Sequence, residues 1–203
     1  MARYAEDLAR VLDALGVERA GLCGLSMGGY VALEFVRRFG ERVAALVLMD
    51  TRAEADDPAA REARLTMAAR ARREGLARLS DELLPKLVAP ESLQRPEAVV
   101  LPLRDMIRAT PIAGFVGALE AMRQRSGYQD VLVGLGDTPT LVVVGTQDRI
   151  TPPALAKRLA SSIPGAALKE VPGAGHLVPM EQPETATGLL LEFLGGVKPG
   201  VVW

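Results

Sequence analysis

Arg19-Ala20-Gly21-Leu22-Cys23-Gly24-Leu25-Ser26-Met27-Gly28-Gly29-Tyr30 decides the reading of this chain, because it joins a short apolar run to a helical run through a Gly-x-Ser-x-Gly turn. Set between a strand and a helix, such a turn is sharp and strained. Its glycines let neighbouring backbone approach closely and leave the serine hydroxyl exposed. Ser26 is therefore a candidate nucleophile. The backbone N–H of the next residue, Met27, points to where an oxygen gains charge during attack on a carbonyl. Cys23, inside the strand, reads as a small apolar core group.

Working outward, Tyr4, Leu8, Val11, Leu12 and Leu15 recur at helical spacing and Gly16 stops the run, which predicts an amphipathic first helix. After the turn, Tyr30, Val31, Leu33, Phe35 and Val36 are apolar on nearly every face, as in a buried helix closed by Arg37, Arg38 and Gly40. Val43-Ala44-Ala45-Leu46-Val47-Leu48-Met49 runs apolar without a break to Asp50, the pattern of a parallel strand covered on both faces. Between Asp56 and Gln129 the character changes. Asp57-Pro58 starts a helix, Gly75, Pro90, Pro96 and Pro111 punctuate further ones, and Thr110-Pro111 reads as a cap ahead of an Ile112, Phe115, Val116, Leu119, Met122 stripe. Strand composition returns at Leu141 to Gly145 and Ala167 to Val171, with helices from Pro153 to about Ser162 and from about Glu181 to Leu194. The prediction is an α/β fold with a mostly parallel sheet of about four strands. Its core comprises 1–55 and 130–196, a helical lid occupies 56–129, and 197–203 form a tail.

A formal net charge of -1 gives no electrostatic reason to expect nucleic acid or an anionic membrane as partner. The start has no charged region followed by an apolar leader, and no apolar run approaches the roughly 20 residues of a membrane span, so a cytoplasmic protein is expected. One cysteine cannot close an internal disulfide, and one histidine cannot build a multi-histidine metal site. Neither a metal nor a cofactor is expected.

A serine hydroxyl needs a base to take its proton, and the base needs an acid to orient it. His176 is the one histidine available, in the glycine-rich turn Pro172-Gly173-Ala174-Gly175-His176 after the last strand. Asp148 follows the Leu141 to Gly145 strand, at the edge where open parallel sheets bind ligands. Taken singly, a lone histidine is more often structural and a turn aspartate more often bonds its own backbone. Asp50, also just past a strand, competes with Asp148 as the acid. What joins the three is their order along the chain, Ser26, Asp148, His176.

With Gly24 to Tyr30, the Asp148 loop and Pro172 to Pro179 in place, the sequence resembles the α/β-hydrolase family. More specifically, it resembles the branch of 3-oxoadipate enol-lactonases, arylesterases and cofactor-free haloperoxidases. The resemblance implies a serine hydrolase acting on a small to medium carboxylic ester, thioester or lactone through an acyl-enzyme. Carbon-carbon bond hydrolysis and perhydrolysis by the same triad stay open. It also implies that the lid supplies most of the acyl pocket, with Leu65, Met67, Leu76, Met106, Ile107, Phe115 and Met122 as candidate lining residues, although each is equally suited to packing lid helices together. The departure is at the front, where the family's earlier strands and the His-Gly loop supplying a second oxyanion donor have no counterpart. Three accounts compete: a fragment or mis-set start, which is favoured; an open sheet edge that pairs with a second copy as a homodimer; or a non-catalytic remnant.

Overall fold

The computed structural model describes residues 1–197; most of the tail expected at 197–203 lies outside the described residues. The elements run α1 (Ala2–Ala14), β1 (Ala20–Leu25), α2 (Met27–Phe39), β2 (Val43–Met49), α3 (Pro58–Glu74), α4 (Leu76–Leu87), α5 (Leu101–Ala109), α6 (Ile112–Gln124), α7 (Gln129–Leu132), β3 (Thr140–Gly145), α8 (Pro153–Ser161), β4 (Ala167–Val171), α9 (Val178–Glu181) and α10 (Pro183–Gly195). The strands form one sheet in the order β1-β2-β3-β4, and every pairing is parallel.

The unbroken apolar runs of β2 and β3 follow from coverage on both sides. Side chains alternate across a strand, so Leu46, Leu48, Val142 and Val144 join the core beneath α1, α2 and α8. Their neighbours Val47, Met49, Leu141 and Val143 pack with Val171, Val178 and the α10 residues Ala186, Leu189, Leu190 and Phe193. Each face thus buries the half of the pattern pointing to it, at roughly 25 cal/mol per Å² of apolar surface removed from water.

Three local expectations are corrected. The buried face of α1 is Ala5, Ala9 and Leu12, while Tyr4, Val11 and Leu15 are exposed, because α1 lies against α2 through its small residues. Cys23 is exposed rather than core. It points to the face covered by α10, and α10 packs over β2, β3 and β4, so the β1 portion of that face is left as an open groove lined by Gly21, Cys23, Val47 and Leu190. Thr110 does not cap α6; it ends α5, and its hydroxyl donates to the Met106 carbonyl.

Helices α3 to α6 pack on one another through two small apolar clusters, one around Leu79 and Phe115 and one around Leu84, Val99 and Leu103. At the start of α3, Asp57 Oδ1 accepts from Ala60 N at 2.7 Å and Pro58 occupies the first turn, where its missing N–H costs nothing. The two ends of the helical segment are held together at the sheet. Arg125 and Asp56 form a fully buried ion pair at 2.7 Å, Arg125 also donates to the Glu54 carbonyl, and its guanidinium stacks on Tyr30 at 4.0 Å. Among the described residues no helix is long and apolar enough to cross a membrane.

Candidate active site

Ser26 sits between β1 and α2 with φ 51° and ψ -110°, a conformation L-residues rarely adopt. The backbone is held there from several sides: Ser26 N donates to the Met49 carbonyl at 2.9 Å, and the Thr51 hydroxyl donates to the Ser26 carbonyl at 2.8 Å. Gly24 is obligatory by contact, since a Cβ there would lie 2.5 Å from the backbone of Gly28. The second close approach falls on Gly29, against Thr51, whereas Gly28 has open space around it. Met27 opens α2, so its N–H belongs to the helix's first orphan donors and has no intrahelical acceptor.

His176 lies on the loop between β4 and α9 and is 3% exposed. Its Nε2 is 2.8 Å from Ser26 Oγ and its Nδ1 is 2.8 Å from Asp148 Oδ2, so residues 150 positions apart share one line of hydrogen bonds. With Nδ1 protonated toward the carboxylate, Nε2 accepts from the serine hydroxyl, the tautomer that the network selects. Asp148 is fixed by its own turn: Oδ1 accepts from Ile150 N at 2.8 Å and Thr151 N at 3.0 Å, and Oδ2 accepts from the Thr151 hydroxyl at 2.6 Å. Burial pushes its carboxyl up, but the hydrogen bonds from His176 and Thr151 outweigh burial and hold it below the usual carboxylate range. It is ionised at neutral pH.

Asp50, the competing acid, lies elsewhere in the network. It is fully buried at φ 43°, and its carboxylate accepts from Gly145 N at 2.9 Å and Val178 N at 3.3 Å, tying the end of β3 to the start of α9 just past His176. Burial pushes its carboxyl up to about 7, against the lowering effect of the Gly145 N–H. An acid whose folded pKa exceeds its ordinary 3.8 takes up a proton on folding, so its contribution to stability is fully present in acid and is lost as pH rises through that window. Wild type minus Asp50→Asn, followed by urea unfolding at stepped pH, is therefore expected to lose stability between pH 3.8 and about 7, by at most about 4 kcal/mol, and to level off above. A difference that does not change with pH would contradict this assignment.

Two further features complete the site. The first is Glu181, fully buried. Its Oε1 accepts from Gly175 N at 2.9 Å and Leu177 N at 3.1 Å, on either side of His176, while its Oε2 accepts from Ala89 N and the Ser92 hydroxyl, both at 2.7 Å. His176 N also donates to the Leu87 carbonyl at 2.9 Å, and a Cβ on Gly175 would come within 2.5 Å of Ala89 N. The end of α4 and the histidine loop are thus one locked unit. Glu181 stands five residues past His176 at a helix end, and no periodicity marks it.

The second is the wall of a cavity of about 420 Å³ that Ser26 and His176 face. Helical spacing builds it: Ala60, Ala63, Arg64 and Met67 from α3, Leu83 and Leu87 from α4, Ile107 from α5, and Phe115, Leu119 and Met122 from α6, with Met27 and Tyr30 from α2. Of the expected lining residues, Met67, Ile107, Phe115 and Met122 are in the wall. Met106 is corrected: it is 61% exposed and outside the wall that Ile107 joins, because adjacent helical residues point about 100° apart. Leu65 is likewise exposed, and Leu76 is buried inside the helical cluster instead. Among the described residues no group of three or more His, Cys, Asp or Glu is placed to hold a metal ion.

The chain that carries this arrangement, a serine on a strained turn joined to a buried His-Asp pair at the carboxyl edge of a parallel sheet, is similar to known proteins over nearly its whole length. Residues 1–183 match the alpha/beta hydrolase fold family. A 2-hydroxy-6-oxononadienedioate/2-hydroxy-6-oxononatrienedioate hydrolase of Burkholderia vietnamiensis is 33% identical over 195 residues, which cover 94% of this chain and 67% of the relative. Among solved structures, a thermophilic esterase from Thermogutta terrifontis superposes with a TM-score of 0.91 at 41% identity, covering 95% of this chain and 71% of the esterase. The enol-lactonase from Burkholderia xenovorans gives 0.86 at 30% identity, covering 94% and 71%. In sequence, sheet topology and relatives alike, this chain belongs to the α/β-hydrolase family.

Proposed function

We propose that the chain hydrolyses small to medium carboxylic esters, thioesters or lactones through Ser26, His176 and Asp148. The single observation that carries the reading is the His176 ring, bonded at 2.8 Å to the candidate nucleophile and at 2.8 Å to an ionised, buried acid. Ser26 Oγ attacks the carbonyl carbon while Nε2 takes its proton; Asp148 holds the ring and stabilises the imidazolium without taking the proton itself. The tetrahedral oxyanion is received by the Met27 N–H at the positive end of α2, and its collapse expels the alcohol, thiol or ring oxygen, protonated from Nε2. Water, activated by the same base, then releases the acid from Ser26. The cavity size suits an acyl group of modest length, and the helices α3 to α6 act as the lid over it. The esterase and enol-lactonase among the similar structures support this substrate class.

The test is hydrolysis of a short-chain 4-nitrophenyl ester by wild type and Ser26→Ala, with labelling by a fluorophosphonate probe located by peptide mapping. Turnover and a label on Ser26 in wild type, both absent in the variant, are expected. Equal rates for the two proteins would end this proposal.

A further inference from the structure

Within the cavity wall, Arg64 is out of character. The other lining side chains are apolar or belong to Ser26, Tyr30 and His176, yet α3 places a guanidinium between Ala60, Ala63 and Met67 on the same helical face. A lone arginine against apolar walls is explained most simply as the partner of a buried acid, and Arg64 Nε does lie 3.1 Å from Asp56 Oδ2. That account is incomplete. Asp56 is already paired through Oδ1 with Arg52 at 2.6 Å and Arg125 at 2.7 Å, so three arginines converge on one carboxylate. Burial pushes the Asp56 carboxyl up, but the hydrogen bonds from Arg125 and Arg64 outweigh burial and hold it below the usual range, so the cluster keeps a surplus of two positive charges at neutral pH.

The surplus has an outlet. Arg64 uses only Nε on Asp56; neither of its Nη groups has a hydrogen-bond partner among the described residues, its side chain is 26% exposed, and the residue lines the cavity. By contrast, Arg125 is fully buried and spends both Nη groups on Asp56, Met122 and Glu54. Two parallel N–H donors beside an apolar surface match the two oxygens of a carboxylate, and a guanidinium binds such a group more directionally than an ammonium. We infer that Arg64 is a specificity-determining residue that receives a carboxylate carried on the substrate's acyl chain, so that the preferred substrates are monoesters or lactones of dicarboxylic acids. The carboxylate sits against the Nη pair, the chain between it and the reacting carbonyl runs past Met67, Phe115 and Met122, and the carbonyl meets Ser26. This inference rests on the hydrolytic reading of Ser26 for its chemistry but not for its binding site.

Two measurements keep those apart. In the first, kcat/KM is compared for 4-nitrophenyl valerate and the mono-4-nitrophenyl ester of glutaric acid. Wild type is expected to prefer the glutarate ester by about tenfold to a hundredfold, the scale of one charge-assisted bidentate bond. Arg64→Gln is expected to bring the ratio of the two close to one, and Arg64→Lys to recover part of it. In the second, Ser26→Ala protein, which needs no turnover, is titrated calorimetrically with 4-phenylbutyrate and 4-phenylbutanol. The carboxylate is expected to bind at least about tenfold more tightly, and Arg64→Gln added to that background to remove the difference. Asp56 keeps Arg52 and Arg125 in the variant, and circular dichroism checks that the fold persists. A substrate ratio near one in wild type, a ratio unaltered by Arg64→Gln, or equal binding of acid and alcohol would each overturn the anion site. Carboxylate preference in binding without any ester turnover would instead overturn the hydrolytic reading and leave the anion site standing.

Discussion

Replacing His176 with glutamine is expected to lower kcat on a 4-nitrophenyl ester by about five to six orders of magnitude while leaving KM within a few-fold. Removing the base of a serine triad costs about as much as removing the whole triad, because the serine cannot be deprotonated at neutral pH by anything else within reach. Here nothing can substitute, since His176 is the one histidine in the chain and Nε2 is the atom 2.8 Å from Ser26 Oγ. Glutamine can hydrogen-bond in that space but cannot accept the proton. The fold has little reason to fail, because the anchoring contact of this residue is backbone, from His176 N to the Leu87 carbonyl. Asp148 keeps the Thr151 hydroxyl and two backbone N–H groups after the ring is gone. The check is kcat beside thermal unfolding. A variant with unchanged melting temperature and less than a tenfold loss in kcat would refute the role of His176 as base.

Glu181→Ala is expected to cost about 3 to 5 kcal/mol of stability, since each buried donor left without its acceptor costs about 1 to 3 kcal/mol before local relaxation recovers part of it. Four donors lose their acceptor together: the N–H groups of Gly175, Leu177 and Ala89, and the hydroxyl of Ser92. Two of these flank His176 and two belong to the segment following α4, so the substitution unlocks the histidine loop from the helical layer. The loss is therefore expected in catalysis as well, as a fall in kcat of about tenfold to a hundredfold in protein that remains folded, since small misplacements of a catalytic group carry costs of that size. KM is set mostly by the cavity wall and should move less. Glu181→Gln keeps one carbonyl oxygen and so one pair of bonds, and is expected to recover part of both losses. Urea unfolding and steady-state kinetics on the folded fraction measure the two effects. Lowered stability with an unchanged kcat would assign Glu181 a purely structural role and contradict its placement as a positioning residue.

How much of this was legible beforehand differs by kind of feature. Strand β2 was readable to the residue because a strand covered on both faces must be apolar at every position, and Val43 to Met49 admits no other use. Asp57-Pro58 announced α3 for an equally local reason, a side-chain acceptor followed by a residue without an N–H. On α1, bulk hydrophobicity points to Tyr4, Val11 and Leu15 as well as to Leu8 and Leu12; the last two do pack on the core, whereas close approach to α2 selects Ala5 and Ala9 in place of the others. Strand composition places Cys23 in the core, yet the residue is exposed, because composition does not tell how far the covering helix extends. Met106 and Ile107 are neighbours of similar hydrophobicity, and only the rotation of α5 on its partners separates an exposed residue from one in the cavity wall.

By itself, the sequence determined the alternation of strands and helices, the strained turn at Ser26 and the types of residue able to serve it, because these depend on short-range sterics, periodicity and the inventory of side chains. Tertiary structure alone decided that Asp148 and not Asp50 reaches the His176 ring, that Glu181 locks the histidine loop to the segment after α4, and that Arg64 lines the cavity with both Nη groups unpaired among the described residues. The physical reason is that each of those facts is a contact between segments far apart in the chain, set by how helices rotate and loops close over a common sheet, and no local pattern encodes that geometry.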